Sequence, residues 1–574
     1  MARGGPGKMK SLAAKLLIIL TAIVWDTSMG LAVTRTVSSS SELQSALNAS
    51  VAGDEVVVRD GVYTGQFIIN ASSGTTSSRI TLRAENKHGA IFSHLNTCSG
   101  VTPGLYVLRN NWVIKDLRFR NQQRAILVEN TTNVEIHNNI ITDYHADGIA
   151  LYGSSQINIH HNAIAYGDAC NPSYEDAGIA LYNNADNNTI RDNIIFATGN
   201  NGYQFGSKNG YGMIIANNSD DNIVQGNILF ANGGKGVFRV LAGTVSGVTG
   251  ANRNVAIDNA FLFGEGGPAT DDCYDDSNSF INNLLYGNYH SAFFTKGNPG
   301  GKGHHQVLHN LFYITPFSRA GGAFASGGCG GIKEANILKD NLFYSADLMG
   351  GSHLLFVIDG SESFQVAQAG NNLFWAPSSN SWVSNYTYKS SDVRSQPIFT
   401  DAANGDFSLA SGSPGKGKAS DGKNIGIEYN AYLKKSWLQS VFSLPTQQKD
   451  NLATSASFSV NPNKYYQVWF YIPASDCNCV ENFNVEGQSL SRDINGLTSG
   501  STWIQPGGPA RWITLGRHRA TDGTLNISWS NSASAEKIFI RELPTVEEAY
   551  GWISGTSGGA VLTPPTGLVV STTP

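Results

Sequence analysis

Between residues 133 and 375 the chain keeps returning to one phrase, a short alternating stretch that ends in Asn and is followed by two apolar residues. It reads NVEIHNNII, INIHHNAI, NTIRDNII, NIVQGNIL, NVAIDNAF, SFINNLL, QVLHNLF, NILKDNLF and AGNNLFW. The last Asn of each is Asn139, Asn162, Asn193, Asn227, Asn259, Asn283, Asn310, Asn341 and Asn372, with successive gaps of 23, 31, 34, 32, 24, 27, 31 and 31 residues. A recurrence of this size marks a solenoid, and period-two alternation inside each unit makes it a β-solenoid. When coils stack about 4.8 Å apart, a bend repeated at one column aligns identical side chains. Asn tolerates a left-handed bend, and its amide can donate to the coil on one side and accept from the other. The Asn column is therefore read as scaffold, with the bend placed on the Asn itself.

A second phrase lies between these bends: DGIALYG from Asp147, AGIALYN from Ala177, YGMIIAN from Tyr211, KGVFRVL from Lys235, HSAFFTKG from His290 and GGAFASGG from Gly321. Gly148, Gly236 and Ala292 each stand nine residues after their ladder Asn. Every coil thus supplies a strand in this register, and together these form one continuous parallel sheet. Parallel crossovers are nearly always right-handed, so the expected architecture is a right-handed parallel β-helix.

Composition agrees with an all-β chain. The 63 glycines follow no collagen period, and charged residues make up only 14%. Arg3, Lys8, Lys10 and Lys15 precede an apolar run from Leu16 to Trp25, and Gly30-Leu31-Ala32 offers a cleavage site, so residues 1–32 read as a secretory signal peptide. The run is about half of the roughly 20 residues a spanning helix requires, which argues against a lasting anchor. Removing that segment shifts the formal charge from −5 to −8. An acidic, secreted chain without a Lys/Arg stripe is a poor nucleic-acid binder. Cys98, Cys170, Cys273, Cys329, Cys477 and Cys479 are compatible with disulfides but too sparse to define a framework.

The coils, with the opening ELQSALNASVAGDEVVVRDGVYTGQFIIN and the closing SQPIFTDAANGDFSLASGSPGKG, resemble the pectate-lyase-type β-helix superfamily of carbohydrate-active enzymes over about residues 35–430. That superfamily contains lyases, hydrolases, epimerases and adhesins, so the resemblance implies the fold more firmly than the reaction.

The charged residues of the second phrase must decide. Side chains one coil apart on a sheet are about 5 Å apart, close to one sugar unit. Within three coils this sheet and its turns carry Lys235 and Arg239, then Asp271, Asp272, Asp275 and Asp276, then His290, Lys296, His304 and His305, with Arg319 one coil later. Asp271-Asp272-x-x-Asp275 is similar to the calcium-binding run of the family nine polysaccharide lyases, and Lys296 in FFTKGN resembles that family's lysine base. Two departures stand out. The family order would place the base at Phe294, from which Lys296 is two residues on and therefore on the same face. Lys235 also stands where the family has a further calcium-binding aspartate.

Abstracting the carbon-5 proton of a uronate leaves charge on its carboxylate, so such a site needs a cation there and a base about 3 Å from the proton. Ca²⁺ on Asp271, Asp272 and Asp275 meets the first need. Lys296 meets the second if neighbouring cations such as Lys235, Arg239 and His305 depress its pKa. Lys235, Arg319 and His305 are the substitute candidates for the base, and Arg239, His290, His304 and Tyr274 are read as substrate contacts. Asp143, His145, Asp147, Glu175 and Asp176 read as exposed turn residues, and Tyr203, Tyr211 and Tyr274 suit packing as well as stacking.

The same aspartates also fit a polygalacturonase-like inverting hydrolase, in which paired acids protonate the leaving oxygen and activate water. Against it, there is no Asn-Thr-Asp one coil before and no Arg-x-Lys after. A non-catalytic glycan-binding adhesin would need only the groove.

Beyond about residue 440 the Asn phrase stops. YYQVWFYIP, ARWITLG, TLNISWS and EKIFIRE alternate apolar and polar residues between Gly, Asn and Asp turns, which suggests a β-sandwich resembling carbohydrate-binding modules. Trp469, Trp503 and Trp512 are its candidate sugar platforms, with core packing expected for at least two of them. The expected organisation is a signal peptide at 1–32, a β-helix catalytic unit at 33–435, a sandwich at 440–548 and a Pro/Thr-rich tail at 549–574. The chain reads as a secreted, calcium-dependent, monomeric lyase acting on an acidic polysaccharide, without nucleic-acid or membrane partners.

Overall fold

The computed structural model describes residues 32–554 except 95–101, 168–176, 200–209, 234–235, 242–249, 271–274, 289–292, 296–303, 319–323, 327–332, 347–355, 359–363, 378–382, 385, 453, 473–479, 494–510 and 531–536. Residues 1–31 of the expected signal peptide and all six cysteines lie outside the described residues.

The first helix, α1 (Ser40–Ala49), closes the start of the solenoid. Ser39 Oγ accepts from Glu42 N, and the Glu42 carboxylate reaches back to Ser38 N at 2.8 Å, a reciprocal cap that satisfies two free N–H groups at the helix start. Leu43, Ala46 and Leu47 are buried.

Each coil then contributes one strand to each of three long parallel sheets, wound into a right-handed parallel β-helix. Sheet I has 13 strands, from Thr34–Val37 to Phe364–Gly370. Sheet II has 12, from Gly61–Thr64 to Leu373–Trp375. Sheet III has 12, from Phe67–Ile69 to Val383–Ser384, and it holds the strands of the second phrase. Register is set by like over like: Ile149 pairs with Ile179, Ile179 with Met213 and Met213 with Phe238. These inward side chains form one buried column of core, which Phe312, Phe343 and Phe374 continue as a stack with centroids 4.7 and 5.0 Å apart.

The Asn ladder runs unbroken between sheets I and II. Each Asn from Asn139 to Asn341 gives its backbone N–H and its Nδ2–H to the Oδ1 of the next at 2.9 to 3.2 Å, and its Nδ2 also donates to a carbonyl of the coil before. The expected bend conformation is displaced by one residue. Left-handed φ values belong to the residues just before the ladder, Asn138, His161, Asp192, Gly226, Asp258, Asn282, His309, Asp340 and Asn371, at 53° to 66°. The ladder Asn turns its side chain inward while its predecessor makes the turn. Asn, Asp and Gly bear that conformation most easily, which accounts for seven of these nine.

A second ladder joins sheets III and I through Asn188, Asn222, Asn254, Asn278, His305 and Asn336.

After the last coil the chain runs back along the bend residues as a strap. Asn371 Nδ2 donates to Lys418 O, and Ser420 donates twice to the Asp340 carboxylate at 2.6 Å. Glu428 N donates to Asn282 Oδ1, Asn430 Nδ2 donates to Asp258 Oδ1, and Lys434 Nζ reaches Asp192 at 3.2 Å. The strap leads into α2 (Lys435–Phe442), which buries Trp437, Leu438 and Val441.

The outer face of sheet II is apolar and covered. Ala163, Ile194, Phe196, Ile228, Phe230, Leu284 and Leu311 pack against Phe407, Leu433 and Trp437, and against Val546, Ala549, Tyr550 and Ile553 of α3 (Val546–Ser554). Each fully buried Leu, Ile or Phe there contributes roughly 1.5–3 kcal/mol. Residues 549–554 thus complete a docked helix rather than beginning a tail.

The expected sandwich is present as two four-stranded antiparallel sheets, one led by Thr446–Asp450 and the other by Ser455–Ser459. Its first sheet faces the solenoid. Arg517 Nη1 donates to Thr198 O and Ala231 O, Gln467 Nε2 donates to Phe263 O, and the Arg541 guanidinium lies 3.6 Å from the Phe263 ring centroid. Trp469 and Trp512 are buried and meet Phe317 of the solenoid, with centroids 5.3 and 4.8 Å away. Packing, not sugar stacking, is their role; Trp503 lies outside the described residues.

Candidate functional site

Along the strands of sheet III the second, third and fifth positions are small or point into the core, while the first, fourth and sixth face outward. The sequences RAILVE, DGIALY and AGIALY therefore place Arg124, Leu127 and Glu129, then Asp147, Ala150 and Tyr152, then Ala177, Ala180 and Tyr182 on the outer face. Pairing stacks them coil on coil: Leu127 over Ala150, Glu129 over Tyr152, and Tyr152 over Tyr182. Leu127, Ala150, Ala180 and Ile214 form an apolar strip flanked by half-buried Tyr106, Tyr152, Tyr182 and Leu241.

Polar groups sit on this strip in pairs. Asp147, read from sequence as an exposed turn residue, is only 1% exposed and accepts from Arg124 Nε at 2.8 Å and Nη2 at 2.7 Å. The same guanidinium donates to Tyr152 Oη at 3.3 Å and lies over that ring. Burial drives the Asp147 carboxyl upward from its ordinary value, and Arg124 holds against that rise. Tyr106 donates to Glu129, and burial, then that hydrogen bond, pushes its phenol up to about 12. Tyr152 is raised as well, by burial and then by Asp147. Such phenols keep their protons near neutral pH and serve as hydrogen-bond donors.

Most of the sequence-derived site lies outside the described residues: Lys235, Asp271, Asp272, Tyr274, His290, Lys296 and Arg319. Their flanking strands are described. Arg239 is half-buried on the outer face and pairs with Ala269, and Val240 pairs with Thr270. Thr270 in turn pairs with Thr295 of Phe293–Thr295.

Three further candidates are placed. Asp275 is 2% exposed and turned to the coil before, where its Oδ1 accepts from Ala251 N at 3.1 Å. His304 is exposed, with Nδ1 2.8 Å from Asp276 Oδ1. His305 fills an asparagine's position in the second ladder: its backbone N donates to Asn336 Oδ1, and its Nδ1 accepts from Asn278 N at 3.2 Å. That acceptor duty fixes the His305 proton on Nε2 and gives the ring a scaffold position.

The calcium expectation is tested by these placements. A hard cation wants several free oxygens converging on one point. Asp275, engaged with Ala251 N and enclosed, does not fit that demand, and among the described residues no group of three or more His, Cys, Asp or Glu is arranged to hold a metal. Sequence reading missed Arg124, Tyr106, Glu129, Tyr152 and Tyr182; the sixth letter of the second phrase was the signal for Tyr152 and Tyr182, while the other three stand on coils before its first quoted instance.

Among the described residues no helix is long and apolar enough to cross a membrane. No curated protein matches the chain. Among solved structures, the chain is similar to an alginate lyase from Paenibacillus sp. str. FPU-7, with 18% identity, a TM-score of 0.39, and coverage of 58% of this chain and 99% of that one. It is also similar to pectate lyase Pel9A, with 15% identity, a TM-score of 0.41, and coverage of 71% and 95%. A third similar structure is the A-module of mannuronan C-5 epimerase AlgE6 from Azotobacter vinelandii, with 14% identity, a TM-score of 0.35, and coverage of 62% and 96%. The family model described as "Right handed beta helix region" matches residues 63–248.

Proposed function

We propose that the chain is a secreted polysaccharide lyase that cleaves a uronic-acid-containing polysaccharide, pectate-like or alginate-like, by β-elimination, and that it is most like the family nine lyases. One observation carries the reading. Thr270 and Thr295 are paired neighbours on sheet III, and in sequence the acid run starts at the residue after the first while Lys296 is the residue after the second. An acid run and an amine that follow these two paired threonines in sequence would supply what proton abstraction next to a carboxylate requires.

In this reading Lys296 takes the carbon-5 proton, the electron pair forms the ring double bond, the glycosidic carbon–oxygen bond breaks, and the leaving oxygen takes a proton from water. Lys235 offsets part of the charge that the carboxylate gains and, with Arg319, stands in reserve for the base, while Arg239, His290, His304 and Tyr274 contact the sugar. Asp271 and Asp272 are the carboxylates proposed to hold a calcium ion, which would neutralise the uronate; no step here depends on it. Residues 33–435 form the catalytic unit of a monomer and 440–548 a docked accessory unit.

The test is a panel of polygalacturonate, polymannuronate and polyguluronate, each with and without a chelator, followed by ultraviolet absorbance of the unsaturated product. Absorbance growth on one polymer supports the reading. New reducing ends without absorbance would replace it with the hydrolase, and binding without cleavage with the adhesin.

A further inference from the structure

On the outer face of sheet I, away from sheet III, two adjacent histidines meet nitrogen to nitrogen. His160 ends the strand Asn158–His160, and His161 is the left-handed bend residue of that coil. Their Nδ1 atoms are 2.9 Å apart. His160 Nε2 lies 2.9 Å from Glu135 Oε1, and the other Glu135 oxygen takes Arg79 Nη1 at 2.7 Å. The His137 ring stacks on His160, 4.8 Å away.

The carboxylate fixes the tautomer. Glu135 accepts only, so His160 carries its proton on Nε2 and turns a bare Nδ1 lone pair toward His161. A carboxylate on the outer nitrogen of an imidazole is the support that metal-ligating histidines use. The spacing suits the same purpose: two nitrogens at right angles, each about 2.0–2.1 Å from a metal, are about 2.9 Å apart. A right-angled pair of imidazoles is the bite of a tetragonal ion rather than of a tetrahedral one.

We propose that His160 and His161 form a bidentate site for a borderline divalent transition-metal ion, with Cu²⁺ the favoured occupant and water completing its shell. On binding, the hydrogen bond from His161 Nδ1 to His160 Nδ1 breaks and two metal–nitrogen bonds replace two metal–water bonds. The His161 proton moves from Nδ1 to Nε2 of the same ring, so no net proton is released. Asp192 on the next coil adds negative charge, and Arg191 and Lys434 oppose it.

The test uses the untagged full chain titrated with Cu²⁺ in a non-coordinating buffer, read by calorimetry and by electron paramagnetic resonance. The expected result is one site per chain with hyperfine structure from two imidazole nitrogens. His161→Asn removes it without disturbing the fold, because Asn holds the same bend at Asn138, Asn282 and Asn371. Glu135→Gln weakens binding about tenfold or more. His309→Asn, at another bend, leaves it unchanged. Equal binding by wild type and His161→Asn, or a spectrum without paired imidazoles, overturns the proposal.

Discussion

Lys434 reaches back across 242 residues to Asp192, its Nζ 3.2 Å from Oδ1, and so pins the end of the strap to a bend of an early coil. The strap holds the solenoid through the side chains that its left-handed bends expose. The corner between sheets I and II carries a left-handed bend on every coil from Asn138 to Asn371, and the strap binds Asp192, Asp258, Asn282, Asp340 and Asn371 among them.

The strongest of these links is at Asp340, which is buried and accepts from both N and Oγ of Ser420. Asp340→Ala leaves two donors unanswered and should cost about 1–3 kcal/mol. Denaturant unfolding measures it, and a wild-type midpoint would show that the strap is not held there.

Within the ladder, Asn259→Ala removes a side chain that accepts from Asn227 and donates to Val224 O and Asn283 Oδ1. With both neighbours left unsatisfied in a dry interior, a loss of roughly 3 kcal/mol is expected. Asn139→Ala, at the outer end, should cost less in the same urea titration.

At the Arg124–Asp147 pair, Asp147→Asn strands a buried guanidinium and should destabilise by about 3–5 kcal/mol. The double variant Arg124→Leu with Asp147→Ala should regain much of that loss. Scanning calorimetry of the wild type and both variants decides, and a double variant no more stable than Asp147→Asn would show that the two side chains do not act as a pair.

Acid should weaken the protein in two stages. His137 is lowered from 6.5 to about 4, by burial first and then by His160, and His161 falls to about 4 chiefly by burial. Each then takes up a proton less readily folded than unfolded, so stability falls as pH drops from 6.5 toward 4. Glu135, lowered to about 2 by the hydrogen bond from His160, contributes stability above 4.5 that is lost as pH falls toward 2. His137→Asn should flatten the first stage in urea midpoints measured against pH, and an unchanged slope would count against this account.

For the proposed reaction, Lys296→Ala should lower kcat about 10²–10⁴-fold with little change in KM, as expected on losing a general base. Initial rates from product absorbance give the split. Undiminished kcat would move the base to another residue.

The solenoid was legible because its grammar repeats: identical Asn at coil spacing, and apolar pairs after each. The second ladder is equally visible, since Asn188, Asn222, Asn254 and Asn336 begin their quoted phrases, but the last Asn of each recurs in every coil and masks it. The bend was placed one residue late because Asn suits both jobs, and only backbone angles separate them. Asp147 was misread because its partner Arg124 stands 23 residues away, on a coil whose strand opens with Arg rather than Asp. The docking of Trp469 and Trp512 on Phe317 joins segments that no local pattern relates.

The first ladder also has a direction. Every member hands its N–H groups forward and receives at its oxygen from behind, and the last, Asn372, passes its backbone N–H to Asp392 Oδ1 at 3.0 Å. A carboxylate has nothing to hand on. Asp392 is thus a chemical full stop: the run of amides that hand one hydrogen bond to the next ends on an acceptor.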